Sequence, residues 1–204
     1  MLTKRFDRAL AFAADLHRAQ QRKGTTIPYV SHLLAVASLV LEHGGSETEA
    51  IAALLHDAVE DQGGLPTLSR IADEFGEEVA AIVAGCTDAD VVPKPPWRAR
   101  KEAYIAHLAH ASESICLVSA ADKLHNLRSI VSDYQMLGEE LWGRFNGKRE
   151  GTLWYYQQLV DAFRSSALAK PRILQELEAV LAVLMGMVGT VSHQSAATKP
   201  LSRI

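Results

Sequence analysis

The 204-residue chain has only two cysteines, Cys86 and Cys116, few aromatic residues (6%), and no excess of either charge: 21 Lys and Arg stand against 24 Asp and Glu, for a formal net charge of −3. Each shortage excludes something. Two cysteines in apolar surroundings do not make a disulfide scaffold; they read as free buried thiols in a reducing, cytoplasmic compartment. The near-balance of charge removes the general electrostatic case for nucleic-acid binding. The longest near-apolar stretch, residues 179–191, is too short and too interrupted by glycine to span a bilayer. The first residues, MLTKRFDRALAF, carry charges inside their apolar pattern, where a signal peptide needs an unbroken apolar run. No run of alternating β-branched residues suggests a strand.

What is there is helical periodicity. At 48% hydrophobic and 22% charged residues the composition is that of a globular domain, long enough to bury a core without disulfides or a structural metal. Phe6, Leu10, Ala13 and Leu16/His17 share one face and predict a helix over 3–22, broken by RKGTTIP. Ser31 is expected to cap a second helix over 31–43, and Ser46 with Glu49 forms a capping-box signature for a third, running to about Val59. Short helices over 67–75 and 77–86 follow, separated by Gly76. After a proline-rich loop come helices over 98–111 and 114–125, the second apolar nearly all round and therefore central. Segments 139–145, 149–168 and 171–187 complete the set. The fold class is all-α, a single helical domain over residues 1–188 followed by a polar, unpatterned tail over 189–204.

The segment AALLHDAVEDQGG carries the first chemistry. An apolar helix runs into His56, Asp57, Glu60 and Asp61, which at helical spacing share one edge. Three carboxylates there repel one another and oppose the helix dipole, an arrangement a bound divalent cation would relieve. His32 sits at the start of the second helix among apolar residues. Asp122 follows the apolar run LVSAA and, if buried, needs an ion partner or a metal. Lys123 is not expected to supply that partner, because adjacent helical residues face different ways. Two imidazoles and two carboxylates suit Mn2+, Fe2+ or Zn2+ and suit Ca2+ poorly.

The pattern H…HD…D resembles that of the HD metallophosphohydrolase superfamily. The fuller set HRAQQRKG, PYVSH, LLHDAVED, FG and ADKLHNLR is similar to the hydrolase domain of RelA/SpoT-type alarmone enzymes, in particular the small stand-alone hydrolases without a synthetase. The likeness spans about residues 5–165 and implies an all-α HD-domain helical bundle with a manganese (Mn2+) cofactor, other first-row divalent metals being open. The implied reaction removes the 3′-diphosphate of guanosine tetra- or pentaphosphate to give GDP or GTP and pyrophosphate. The implied metal ligands are His32, His56, Asp57 and Asp122. Glu60 and Asp61 would orient and deprotonate the attacking water. Arg22 and Lys23 would lie beside the nucleoside and phosphates, and Asn126, one helical turn after Asp122, would contact the nucleotide.

Lys94, Arg98, Arg100 and Lys101 form a basic run with no acid between them, which reads either as a phosphate-gripping loop or as a solvated helix start. Lys101 and, from the far side, Arg149 are expected at the substrate. Trp97 and the triplet Trp154–Tyr155–Tyr156 read as packing residues. The expected partner is a small-molecule nucleotide, with no nucleic acid and no membrane; a homodimer is compatible. Two other functions remain open: a metal-dependent phosphatase of NADPH or another phosphorylated nucleotide, and a catalytically silent nucleotide-binding module.

Overall fold

The computed structural model describes residues 1–88 and 93–197, with side chains to residue 189. Ten α-helices and one 3₁₀ helix follow one another among the described residues: α1 Lys4–Leu16, α2 Val30–Glu42, α3 Glu47–Leu55, α4 Ala58–Asp61, α5 Leu65–Phe75, α6 Glu77–Cys86, α7 Trp97–Leu108, α8 Glu113–Leu137, the 3₁₀ helix Gly138–Arg144, α9 Lys148–Ser165 and α10 Pro171–Ala197. α8 is the axis. Leu117, Val118, Ala120, Ala121, Leu124 and Leu127 are buried along it, and α2, α3, α6, the 3₁₀ helix and α10 all pack against it. Such all-round apolarity is what a central helix requires. No described helix is long and apolar enough to cross a membrane, and both cysteines are free.

Several elements differ from the sequence expectation, each for a local reason. α1 stops at Leu16 rather than near Arg22, because residues 20–29 double back: Arg22 N–H donates to the Ile27 carbonyl (2.8 Å) and Tyr29 N–H to that of Gln20 (2.9 Å). Gly24, at φ +73°, makes the turn, a conformation that glycine adopts without strain. Ser31 does not cap α2. The helix starts one residue earlier at Val30, with Tyr29 in the N-cap position and no side-chain cap. The Ser46–Glu49 capping box is present as expected, but α3 ends at Leu55. His56 Nδ1 donates to the Ala53 carbonyl at 2.8 Å, competing for the acceptor that a continuing helix would give to Asp57. α8 runs twelve residues beyond the expected end at 125, and so carries one wall of the cavity described below.

The tail expected over 189–204 is helical as far as Ala197. Ile173, Leu177, Leu181, Leu184 and Val188 bury one side of α10, and a packed helix extends cheaply once nucleated, even across a glycine such as Gly189. Residues 198–204 of that expected tail lie outside the described residues, as do residues 89–92 of the proline-rich loop.

Candidate active site

Three elements bring the site together: the start of α2 supplies His32, the turn between α3 and α4 supplies His56 and Asp57, and the middle of α8 supplies Asp122. Ligand atoms of His32, His56 and Asp57 all lie within 4.8 Å of one another. Asp122 Oδ1 joins them at 3.1 Å from His32 Nε2 and 3.6 Å from His56 Nε2. Asp57 Oδ2 is 2.9 Å from His56 Nε2 and 3.5 Å from His32 Nε2. The four residues expected as ligands therefore converge from distant parts of the chain.

Hydrogen bonds behind each group set what it shows to the centre. Because a carbonyl only accepts, His56 Nδ1 carries a proton toward Ala53 and turns Nε2 to the centre. That Nε2 is buried facing the Asp57 and Asp122 carboxylates, 2.9 and 3.6 Å away. His32 Nδ1 pairs with His125 Nδ1 at 2.7 Å; burial, His32 and Arg22 press the His125 pKa down to about 4, so that ring stays neutral. Asp57 Oδ2 accepts from the Tyr29 hydroxyl (2.5 Å). Asp122 presents Oδ1, which also accepts from Asn126 Nδ2 (2.5 Å), while Oδ2 is held by Lys123 Nζ at 2.6 Å. This corrects the expectation for Lys123. Backbone spacing turns neighbours apart, but a lysine stem is long enough to curl back, and a buried ammonium needs the carboxylate as much as the reverse.

Burial alone would raise the carboxyls of both aspartates. The His56 charge and the two imidazoles hold Asp57 well below the usual carboxylate range; the Lys123 ammonium and the same imidazoles do so for Asp122. Burial would lower His56, yet the two carboxylates raise it well above its ordinary value. The centre thus draws positive charge to the point where an imidazole nitrogen faces two carboxylate oxygens. A divalent cation with mixed nitrogen and oxygen ligands meets both demands.

The cluster adjoins an open cavity of about 710 Å³: none of its four residues lines it, but Tyr29, Lys123 and Asn126, which bond Asp57 and Asp122, do. Arg22, Lys23, Glu60, Lys101, Lys123 and Asn126 are among its lining residues. Glu60 is half-buried and bonded to Lys94 at 2.7 Å; burial, and then the charge of Asp88, push its carboxyl up. Asp61 is exposed, lies outside the cavity lining and is bonded to Gln20 Nε2 at 2.8 Å. Arg22 Nη2 donates to Asn126 Oδ1 at 2.7 Å, joining the turn after α1 to α8.

The basic run is not a free cluster. Arg100 (2.5 Å) and Lys101 both engage Asp88, Lys94 engages Glu60, and Arg98 pairs with Glu102 and lies over the Trp154 ring. Arg149 does not line the cavity: its Nη2 donates to the Val188 carbonyl at 3.2 Å and Nη1 lies 3.6 Å from Glu139. Trp97 packs edge-on against Trp154 and Tyr155, and Gly147 and Gly151 make room for it, since a Cβ at Gly147 would come within 2.6 Å of its ring. Tyr155 and Tyr156 are buried as expected, yet both also reach the cavity wall. Sequence reasoning gave no role to Tyr29, Lys123 or Arg144. A second charge beside Asp122 in an apolar helix was a usable signal for Lys123. Arg144, in a short 3₁₀ helix without a motif, offered none.

Residues 9–153, well over half of the chain, match the HD domain family HD_4. The chain belongs to the HD domain family. Among sequences, this HD protein is 41% identical over 125 residues to the guanosine-3′,5′-bis(diphosphate) 3′-pyrophosphohydrolase MESH1 of Xenopus tropicalis, covering 60% of this chain and 67% of the relative. It is 40% identical over 128 residues to human MESH1, with the same coverage. It thus spans about two thirds of the length of these relatives. Among solved structures, a metazoan ortholog of SpoT described as hydrolysing ppGpp superimposes with a TM-score of 0.73 at 28% identity, covering 89% of this chain and 96% of that one.

Proposed function

We propose that this HD protein is a metal-dependent pyrophosphohydrolase that removes the 3′-diphosphate of guanosine 3′,5′-bis(diphosphate) and its pentaphosphate analogue, releasing GDP or GTP and pyrophosphate. The observation that carries the reading is the convergence of His32, His56, Asp57 and Asp122 beside a cavity whose wall holds their partners Tyr29 and Lys123 together with Arg22, Lys23 and Lys101. The relatives' activity supports the choice of substrate.

His32 Nε2, His56 Nε2, Asp57 Oδ2 and Asp122 Oδ1 would hold the cation, and the nitrogen and oxygen donor set favours Mn2+ or a similar first-row ion. When bound, the cation eases deprotonation of the attacking water and offsets charge on the phosphoryl oxygens. Lys123 keeps Asp122 Oδ2 occupied, so that Oδ1 alone turns to the centre. Glu60, its proton affinity raised by burial, accepts the proton of the attacking water, with Asp61 orienting that water. The new bond forms between water oxygen and phosphorus, the bond from phosphorus to the 3′ oxygen breaks, and the 3′ hydroxyl regains a proton. Arg22, Lys23 and Lys101 hold the second diphosphate away from the acidic centre. The two free cysteines support placing this reaction in a reducing, cytoplasmic compartment.

The test is a panel of guanosine polyphosphates, NADPH and common nucleotides with added Mn2+. Pyrophosphate release from the guanosine polyphosphates is expected. Orthophosphate from NADPH with no guanosine polyphosphate cleavage would replace this reading with the phosphatase one. No turnover on any member, with Mn2+ bound, would leave the binding-module reading.

A further inference from the structure

Asp61 is held from behind by a polar chain that no substrate contact explains. Gln20 Nε2 donates to Asp61 Oδ2 at 2.8 Å. Gln20 Oε1 takes Gln62 Nε2 at 2.6 Å and His17 Nδ1 at 2.6 Å. The polarity of this chain follows from one carboxylate. Asp61 only accepts, so Gln20 must turn its NH₂ toward it and its carbonyl away. That carbonyl also only accepts, so the Gln62 amide must present nitrogen and His17 must carry its proton on Nδ1. His17 Nε2 is then a bare lone pair, and it is buried with no partner among the described residues.

A buried imidazole with an unsatisfied nitrogen is costly, and an apolar residue would fill the same space without that cost. His17 is 2% exposed and stacks on Tyr29, with ring centroids 5.3 Å apart and planes 18° from parallel. Burial also lowers its pKa, consistent with a neutral ring. Neither His17 nor Gln20 lines the cavity. What the pair achieves is to fix the direction of one amide, which occupies Asp61 Oδ2 and, on the reading above, keeps Oδ1 for the attacking water. An exposed aspartate at the end of the one-turn helix α4 would otherwise rotate among its rotamers.

Resting on the reading of Asp61 as a water-orienting carboxylate, we propose that Gln20 is a positioning residue that aims Asp61, and that His17 and Gln62 fix the orientation of its amide. Gln20→Glu tests this most sharply, because it keeps the shape and sets a second carboxylate against Asp61. It is expected to lower kcat by about 100-fold, with KM for guanosine 3′,5′-bis(diphosphate), bound Mn2+ per chain and melting temperature unchanged. Gln20→Leu is expected to lower kcat by roughly tenfold, and to have no further effect on Asp61→Asn, since the two act through one group. His17→Asn, which retains a donor near Nδ1, is expected to stay active, whereas His17→Phe keeps the stacking and loses roughly tenfold.

Additive losses in the cycle, a rise in KM in step with the fall in kcat, or equal activity of the two His17 variants would overturn the proposal. A second readout needs no substrate. Nitrogen-15 NMR of the Mn2+-free protein should find His17 protonated on Nδ1, and an Nε2–H tautomer would overturn the proposal whatever the kinetics. If the wild type cleaves the substrate and Asp61→Asn is fully active with metal bound, the role of Asp61 fails and the proposal fails with it. If the wild type releases no pyrophosphate, the substrate reading fails instead.

Discussion

Beside the cavity, in the cluster of His32, His56, Asp57 and Asp122, two imidazole nitrogens crowd against two carboxylate oxygens. At the Arg22 end the basic groups already hold acceptors: Arg22 has Asn126, Arg100 and Lys101 share Asp88, and Arg144 has Asp133 at 2.9 Å. The first region gathers the donors that a divalent cation requires. In the second, Arg22, Arg100, Lys101 and Arg144 can bind an anion only by exchanging partners. Affinity at the metal end should therefore follow directly from the ligands present. Affinity at the phosphate end is a difference between two sets of charge-assisted contacts, and so is smaller per residue than a count of cations suggests.

The largest effect expected from this contrast is at the buried end. His56→Ala or Asp57→Ala should abolish both Mn2+ binding, followed by calorimetry, and turnover, with the helical circular-dichroism signal retained. A variant that keeps stoichiometric metal would break the assignment of that end. Next is Glu60→Gln, which removes a proton acceptor without removing a ligand. Metal content should hold while kcat falls by roughly two to four orders of magnitude. Loss of the metal with normal activity after reloading would move Glu60 into the ligand set. Smallest is Arg22→Ala. A charge-assisted contact is worth roughly 1.5–3 kcal/mol, but Arg22 gives up Asn126 to make it, so KM for the guanosine polyphosphate should rise by about tenfold. The KM of a small generic phosphoester should barely move. Equal effects on both would assign Arg22 to folding or general electrostatics and erase the distinction between the two ends.

That distinction also marks what the sequence could show. Apolar runs ending in His56–Asp57 and in Asp122 betray buried charge, because a titratable group in such surroundings needs a partner, and the motifs around them carried the family resemblance. The all-α class and the central position of α8 were legible for the same reason, as periodicity and all-round apolarity are local properties. The neutralisation of the basic run was not legible. Glu102, four residues after Arg98, is local, but Asp88 and Glu60, which hold Arg100, Lys101 and Lys94, precede the run by distances that only the fold closes. Arg149 was misjudged likewise, since its acceptors come from the 3₁₀ helix and α10. The end of α1 and the break after Leu55 depend on a few local hydrogen bonds that spacing does not encode.

α8 carries Asp122 at the metal end, then Asn126 and Ser129, and finally Asp133 beside Arg144, the last three of them on the cavity wall. From Asp122 to Asp133 the α-helical rise of about 1.5 Å per residue gives a separation of about 16 Å. One secondary-structure element thus runs the length of the site. The residues that bury α8 in the core also fix how far Asp122 stands from the Arg144 wall, so that this span is as rigid as the core itself.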